Sequence, residues 1–212
     1  MDSQAAPPAK KFTSIERPYL VIVEGPDDQR FFQAFARHIG LPDIQCEYIE
    51  GRTNLRGVLK TLSTTPGHDK LTSLGVVRDA DEDPDAALQS IRDALKAAWL
   101  PVPKKVLAPV GEAPRVTVMI LPGRGRPGML ETLCLEAVAH DPAMACVDGY
   151  FECLEARGLA TPTNMAKARV HTFLASRKEP ELRLGEASDK GYWPWEAEAF
   201  EQVREFLRLV VS

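Results

Sequence analysis

Short apolar runs alternate along the first part of the chain with stretches whose apolar residues recur at helical spacing. Tyr19 to Val23 is apolar and partly β-branched and runs into Glu24-Gly25-Pro26, the pattern of a buried strand entering a turn. Asp27 or Asp28 can cap the following helix, which carries Phe31, Phe32, Phe35 and Ile39 and stops at Gly40-Leu41-Pro42. A second strand over Ile44 to Ile49 leads through Gly51-Arg52-Thr53-Asn54 to a helix bearing Leu55, Val58, Leu59 and Leu62. A third, Leu71 to Val77, breaks at Arg78-Asp79-Ala80-Asp81-Glu82-Asp83-Pro84, and residues 85 to 98 place Leu88, Ile91 and Leu95 on one helical face. Residues 100 to 114 contain four prolines and read as a surface connection. Val116 to Leu121 is a fourth strand, ending in Pro122-Gly123-Arg124-Gly125-Arg126-Pro127-Gly128. Beyond it the pattern is helical, over 129 to 139, 143 to 156, 163 to 175 and 196 to 210.

Strands that are apolar on both faces and separated by helices predict an α/β fold, a mostly parallel four-stranded sheet with helices on both faces and extra C-terminal helices. Residues 1 to 17 are rich in Pro, Ala and Lys and aperiodic, which predicts a flexible arm. Residues 18 to 140 form the α/β core, and residues 141 to 212 a C-terminal helical extension packed on the same domain.

Composition narrows the function classes. With 44% hydrophobic and 26% charged residues the chain has a globular make-up, and its formal charge of −4 supplies no overall positive field for nucleic acid or membrane. A polyanion must be met locally. No apolar stretch reaches the length of a membrane span, and the start Met1-Asp2-Ser3-Gln4 lacks the features of a signal peptide. The four cysteines, Cys46, Cys134, Cys146 and Cys153, have no metal-site spacing and read as thiols in a reducing compartment, so a cytoplasmic protein is expected.

Open α/β sheets bind ligands outside the carboxyl ends of their strands, and three of those ends carry acids. Glu24 ends the first strand with Asp27 and Asp28 close behind. Asp79 and Asp81 end the third. Glu131 opens the helix after the fourth. Two carboxylates ~4 Å apart repel by roughly 1 kcal/mol in water and roughly 4 kcal/mol at a partly buried site, so a cleft shared by several calls for a cation, and Mg²⁺ or Mn²⁺ suits all-oxygen donors. The alternative is that the Asp-rich loop is a solvated turn, with Asp83-Pro84-Asp85 a helix start. Arg124 and Arg126 can offer forked donors to phosphate, or they are solvated residues of a plain Gly/Pro connection. Arg52 and Arg56 stand at the same sheet edge with the same two readings. The scattered histidines lack partners at ligand spacing. Tyr192-Trp193-Pro194-Trp195 either stacks bases or staples the last helix to the core.

The segments Val23-Glu24-Gly25-x-x-Asp28, Arg78-Asp79-Ala80-Asp81 and Gly128-x-x-Glu131, in this order after the first, third and fourth strands, resemble the Toprim (topoisomerase-primase) domain. The chain looks most like the small stand-alone DUF3226 proteins, which are similar to the Toprim nuclease domain of the overcoming-lysogenization-defect (OLD) family. The resemblance implies that Glu24 is a metal ligand or general acid/base, that Asp79 and Asp81 bind divalent metal, and that Asp28 and Glu131 belong to a second metal position. It also implies a downstream catalytic lysine, for which Lys190 is the first candidate and Lys167 the second. Unlike OLD proteins, the chain has no Gly-x-x-x-x-Gly-Lys-Ser/Thr, so it carries no ATPase of its own.

The expected function is a metal-dependent nuclease acting on nucleic acid, DNA favoured. Two alternatives stand beside it: a non-catalytic nucleic-acid or nucleotide-binding Toprim subunit working with a partner ATPase or defence complex, and a metal-dependent phosphatase or nucleotidyl transferase. A haloacid-dehalogenase-type phosphatase would carry its Asp-x-Asp after the first strand, whereas here it follows the third. No tyrosine is placed to act as a topoisomerase nucleophile.

Overall fold

Four parallel strands, β1 (Tyr19–Val23), β2 (Ile44–Tyr48), β3 (Ser73–Asp79) and β4 (Arg115–Leu121), form one sheet in the order β2-β1-β3-β4 in a computed structural model that describes residues 13–51 and 54–212. The chain leaves β1 through α1 (Pro26–His38) to reach β2 on one side, then crosses through α2 (Leu55–Thr61) to β3 on the other side of β1. The β1/β3 boundary is therefore the point where the strand order reverses, where open parallel sheets leave a crevice for ligands. α3 (Pro84–Ala97) then links β3 to β4.

Alternation along the strands sorts the apolar residues into two layers. Leu20 and Ile22 of β1 and Leu74 and Val76 of β3 face Leu55, Val58 and Leu59 of α2 and Ile91 and Leu95 of α3. Val21, Val23 and Val77 face the other way, into a larger core built from α1 and the helices that follow β4. These are α4 (Leu130–Ala137), α5 (Ala143–Ala156), α6 (Met165–Ala175), α7 (Leu184–Asp189) and α8 (Glu201–Val211). α8 lies so close to the sheet that a Cβ on Gly75 would stand 2.7 Å from the Phe206 ring, so only glycine fits there. The C-terminal helices thus complete one face of the sheet.

Several expectations need amendment. The third strand runs two residues further than the apolar run, through Arg78 and Asp79, because pairing with Ile120 and Leu121 of β4 satisfies their backbone. The short helix α7 was not legible as a periodic segment. It is fixed to α1 by the Gly185 N–H, which donates to Asp27 Oδ1 at 3.0 Å, and by the close seat of Gly185 against Asp27 and Arg30. The arm expected over 1 to 17 lies outside the described residues as far as 12, but from Thr13 on the chain is attached. Ile15 is buried and its N–H donates to Pro66 O at 2.7 Å, while Arg17 pairs with Asp43. Trp193 is buried, donating from Nε1 to Ser188 Oγ at 3.0 Å and stacking on Phe173. Trp195 packs against Phe31 and Phe35. The aromatic run therefore serves the core.

Candidate functional site

The carboxyl ends of β1 and β3 bring Glu24 and Asp79 side by side, and the first turns of α1 and α4 add Asp28 and Glu131. Each acid has a local reason for its place. Pro26 starts α1 without needing a donor, and Asp28 in its first turn accepts the Gly25 N–H through Oδ2 at 3.0 Å. Asp79 Oδ1 accepts the Leu130 N–H at 3.1 Å and so covers the start of α4, on which Glu131 is the second residue. Asp81 has a left-handed backbone (φ 52°), held by two bonds to Gly128: its N–H donates to Gly128 O at 2.9 Å and its C=O accepts the Gly128 N–H at 2.7 Å. Gly128 is itself at φ 133°, and a Cβ there would stand 2.8 Å from Thr132 Oγ1 and 3.1 Å from the Pro122 ring. The loop after β4 thereby locks the acidic loop after β3 in place.

The electrostatics of this cluster are unusual. Burial, with the negative charges of Glu131 and Glu24, pushes Asp28 up to about 7. Burial and the charges of Asp28, Glu24 and Glu131 push Asp79 well above the carboxylate range. Glu24 is also raised, by burial and then by Asp81, although Arg78 and the Asp79 N–H pull it back. The cations within reach are few. Arg78, almost fully buried in β3, donates from Nε to Glu24 Oε1 at 3.1 Å, and Lys167 on α6 lies 3.8 Å from Glu131. Asp79, Asp81, Glu82 and Asp83 form one wall of a cleft of about 1020 Å³, with Met129, Thr132, Thr163, Asn164 and Met165 lining the other side.

A hard divalent cation fits this donor set. All the donors are carboxylate oxygens, and they are held close enough for the neighbouring charges to disfavour the ionisation of Asp28 and Asp79, which a cation would relieve. Among the described residues, no group of three or more His, Cys, Asp or Glu side chains stands arranged to hold an ion as the side chains are placed. Binding would therefore require rotamer changes in the cluster.

The structure separates the remaining candidates. Lys190 ends α7 and pairs with Glu179 at 3.2 Å, next to Asp189, which bonds Arg37 near the far end of α1. It is thus remote from the acids, whereas Lys167, the second candidate, reaches Glu131. Arg124 (φ 56°) pairs with Glu198 and its N–H bonds Gln202, while Arg126 pairs with Glu136 at 2.9 Å. Both arginines are held by the protein's own glutamates. Arg52 lies outside the described residues, and Arg56 lies on α2. Sequence reasoning passed over Arg78, which reads as the first residue of a polar loop. The signal available was a lone cation between an apolar strand and the Asp-x-Asp acids.

Comparison with curated protein sequences finds no match. Among solved structures, the C-terminal region of the Xanthomonas campestris pv. campestris OLD protein is similar, with a TM-score of 0.50 at 12% identity, covering 92% of this chain and 95% of that one. The C-terminal region of the Burkholderia pseudomallei OLD protein aligns over 93% of this chain and 98% of that chain, at a TM-score of 0.47 and 14% identity. At such identities the likeness concerns the fold, a Toprim-like α/β arrangement. The family described as "Protein of unknown function (DUF3226)" matches residues 18–212, and the chain belongs to that family.

Proposed function

We propose that the protein is a divalent-metal-dependent nuclease that hydrolyses phosphodiester bonds of nucleic acid, with DNA as the favoured substrate and Mg²⁺ or Mn²⁺ as cofactor. One observation carries the reading: four carboxylates, Glu24, Asp28, Asp79 and Glu131, crowd at the strand-order reversal, where burial and the neighbouring charges raise the pKa of Asp28 and Asp79, with one buried arginine and one lysine beside them. Acids so placed raise the free energy of the metal-free fold, and structural needs alone would be met by caps that do not repel. Glu24, Asp79 and Asp81 would hold one ion, and Asp28 and Glu131 a second. A pair of such ions neutralises charge on the attacking and leaving oxygens of a phosphodiester and lowers the pKa of water.

The chain's own residues have separate tasks in this scheme. Arg78 orients Glu24 through its Nε bond. The Leu130 N–H fixes one oxygen of Asp79, a residue that lines the cleft. Lys167, beside Glu131, takes the place first given to Lys190 as the cation that can meet the phosphate or transfer a proton. The likeness to the OLD C-terminal region supports the reading at the level of fold.

A second reading, a nucleic-acid-binding subunit without turnover, is favoured by the absence, among the described residues, of a ready group of three metal ligands. Purified protein on supercoiled plasmid with Mg²⁺, Mn²⁺ or EDTA separates the two. The nuclease converts plasmid to open-circular or linear form only with metal, and Glu24→Gln retains binding without conversion. Binding by both proteins with no conversion under any metal condition selects the subunit.

A further inference from the structure

We infer that the acidic cleft continues past Arg78 into a second cavity that receives the strand flanking the bond to be cut, with Arg56 as its phosphate contact. The identity of the ligand rests on the nuclease reading above. The cavity, about 580 Å³, is lined by Leu55 and Arg56 of α2, by Ala86, Gln89, Ser90, Asp93 and Ala94 of α3, and by Arg78. Arg78 and Ala86 also line the acidic cleft, so the two spaces meet at these residues.

Arg78 is the hinge of the argument. Its side chain is only 10% exposed, and its Nη1 is buried with no hydrogen-bond partner. A buried guanidinium nitrogen without an acceptor carries a standing cost, which an acceptor at the junction of the two cavities would remove once the side chains covering Nη1 shift aside. A phosphate oxygen is an acceptor of the right charge and geometry.

The distribution of cations selects the direction of the strand. A phosphate leaving the acidic cleft needs positive charge. Arg124 and Arg126 are tied to Glu198 and Glu136, and Arg124 borders a different cavity. Arg56 has no ion pair among the described residues and faces the space beyond Arg78. The one acid in that space, Asp93, has Oδ1 engaged by Gln89 Nε2 at 2.9 Å. Gln89 and Ser90 supply neutral polar groups, which suit contact with a sugar-phosphate chain without reading its sequence.

Anisotropy of a labelled oligonucleotide, with Ca²⁺ in place of Mg²⁺ and at several salt concentrations, tests the assignment. Arg56→Ala should weaken binding by roughly tenfold and lower the log-log salt slope by about 0.7 to 1. Ser90→Trp, which fills the cavity without changing charge, should weaken binding by a similar factor. Lys96→Ala removes the same charge as Arg56→Ala but lies at the far end of α3, outside the cavity, and should change the affinity less than twofold. Melting curves of each variant guard against misfolding. Wild-type affinity in both Arg56→Ala and Ser90→Trp overturns the subsite, as does failure of the wild type to bind. Plasmid cleavage is scored separately: binding that depends on Arg56 and Ser90 without cleavage sinks the nuclease and keeps the subsite, and cleavage with neither residue mattering does the reverse.

Discussion

Two acid-rich regions of this molecule are built on opposite principles. On the helical flank three acids have their own cations: Asp141 accepts from Arg177 at 3.0 Å, Asp148 from Arg169, and Glu186 lies 3.1 Å from Arg30. Arg177 is further held by the Phe173 ring, 4.0 Å from its guanidinium carbon. The result is a pKa lowered at Asp141, chiefly by the hydrogen bond from Arg177. At the sheet exit the pattern inverts, and Asp28 and Asp79 are raised by burial and by the charges of neighbouring acids. The same side chain serves as glue where a cation accompanies it and as a liability where other acids do. Acids of the second kind mark a candidate binding site.

The sharpest break of this contrast is in activity. Under the proposed nuclease function, Asp79→Asn or Glu24→Gln should reduce metal-dependent plasmid cleavage by about a hundredfold or more, since each removes an acid from the proposed reacting centre. Asp141→Asn should leave cleavage within a factor of two. A flank variant that lost as much activity as Asp79→Asn would erase the distinction between the two regions.

The next effect is in stability against pH. Asp28 titrates at about 7 in the fold against about 3.9 unfolded, so between these values the native state binds the extra proton. Stability of the metal-free protein therefore falls as pH rises from about 4 to about 7 and levels off above, with a ceiling of roughly 4 kcal/mol from this group. Asp79 pushes in the same direction. Asp141 works the other way: its contribution is present above the ordinary carboxylate pKa and lost as pH falls through its lowered folded value, so it does not act between pH 5 and 7. In EDTA the melting temperature should rise by several degrees from pH 7.5 to pH 5.5, at about 2–4 °C per kcal/mol for a chain of this size. Asp28→Asn should flatten the profile and raise the plateau at pH 8. Mg²⁺ or Mn²⁺ in millimolar amounts should raise the wild-type melting temperature most at pH 8, where the acids are ionised. A wild-type profile that is flat in EDTA would show that the cluster is already neutralised.

Smaller still is the cost of breaking one pair on the flank. Asp141→Asn should lower stability by about 1 kcal/mol, a part-exposed charge-assisted bond being worth little more, and the loss should be constant from pH 5 to 8. A pH-dependent loss in that range would place Asp141 with the other class.

The alternation of strands and helices and the acids at their junctions were legible because each follows from chain-local patterns: apolar runs end at Glu24 and near Asp79, and helix starts hold Asp28 and Glu131. Partners drawn from distant segments were not. Lys190 and Lys167 are equivalent in composition and order, and only the packing of α6 on α4, with α7 running along α1, tells them apart. Arg78 was hidden because its strand continues past its last apolar residue, which depends on pairing with β4. The short α7 has too few turns to display a period. The pairing of Arg124 with Glu198 joins positions 74 residues apart, a contact that no local pattern announces.

That last pair sets the smallest expected effect. Arg124 and Arg126 stand in a Gly/Pro loop at the correct edge of the sheet, which is why they invite a role in phosphate binding. Each is exposed and already paired, with Glu198 and Glu136, and a phosphate would have to displace a carboxylate that is part of the protein. Exposed pairs of this kind contribute about 0–1 kcal/mol, so their exchange for a phosphate is close to neutral. Arg124→Ala with Arg126→Ala should therefore change oligonucleotide affinity by about threefold at most and the salt slope by less than the single Arg56→Ala. Arg124→Ala with Glu198→Gln supplies the control for the freed carboxylate, because it removes both members of the pair. If the double arginine variant instead lowers the slope by two units, each arginine releases its glutamate to bind phosphate, and the loop after β4 joins the site as a ligand-exchanged contact.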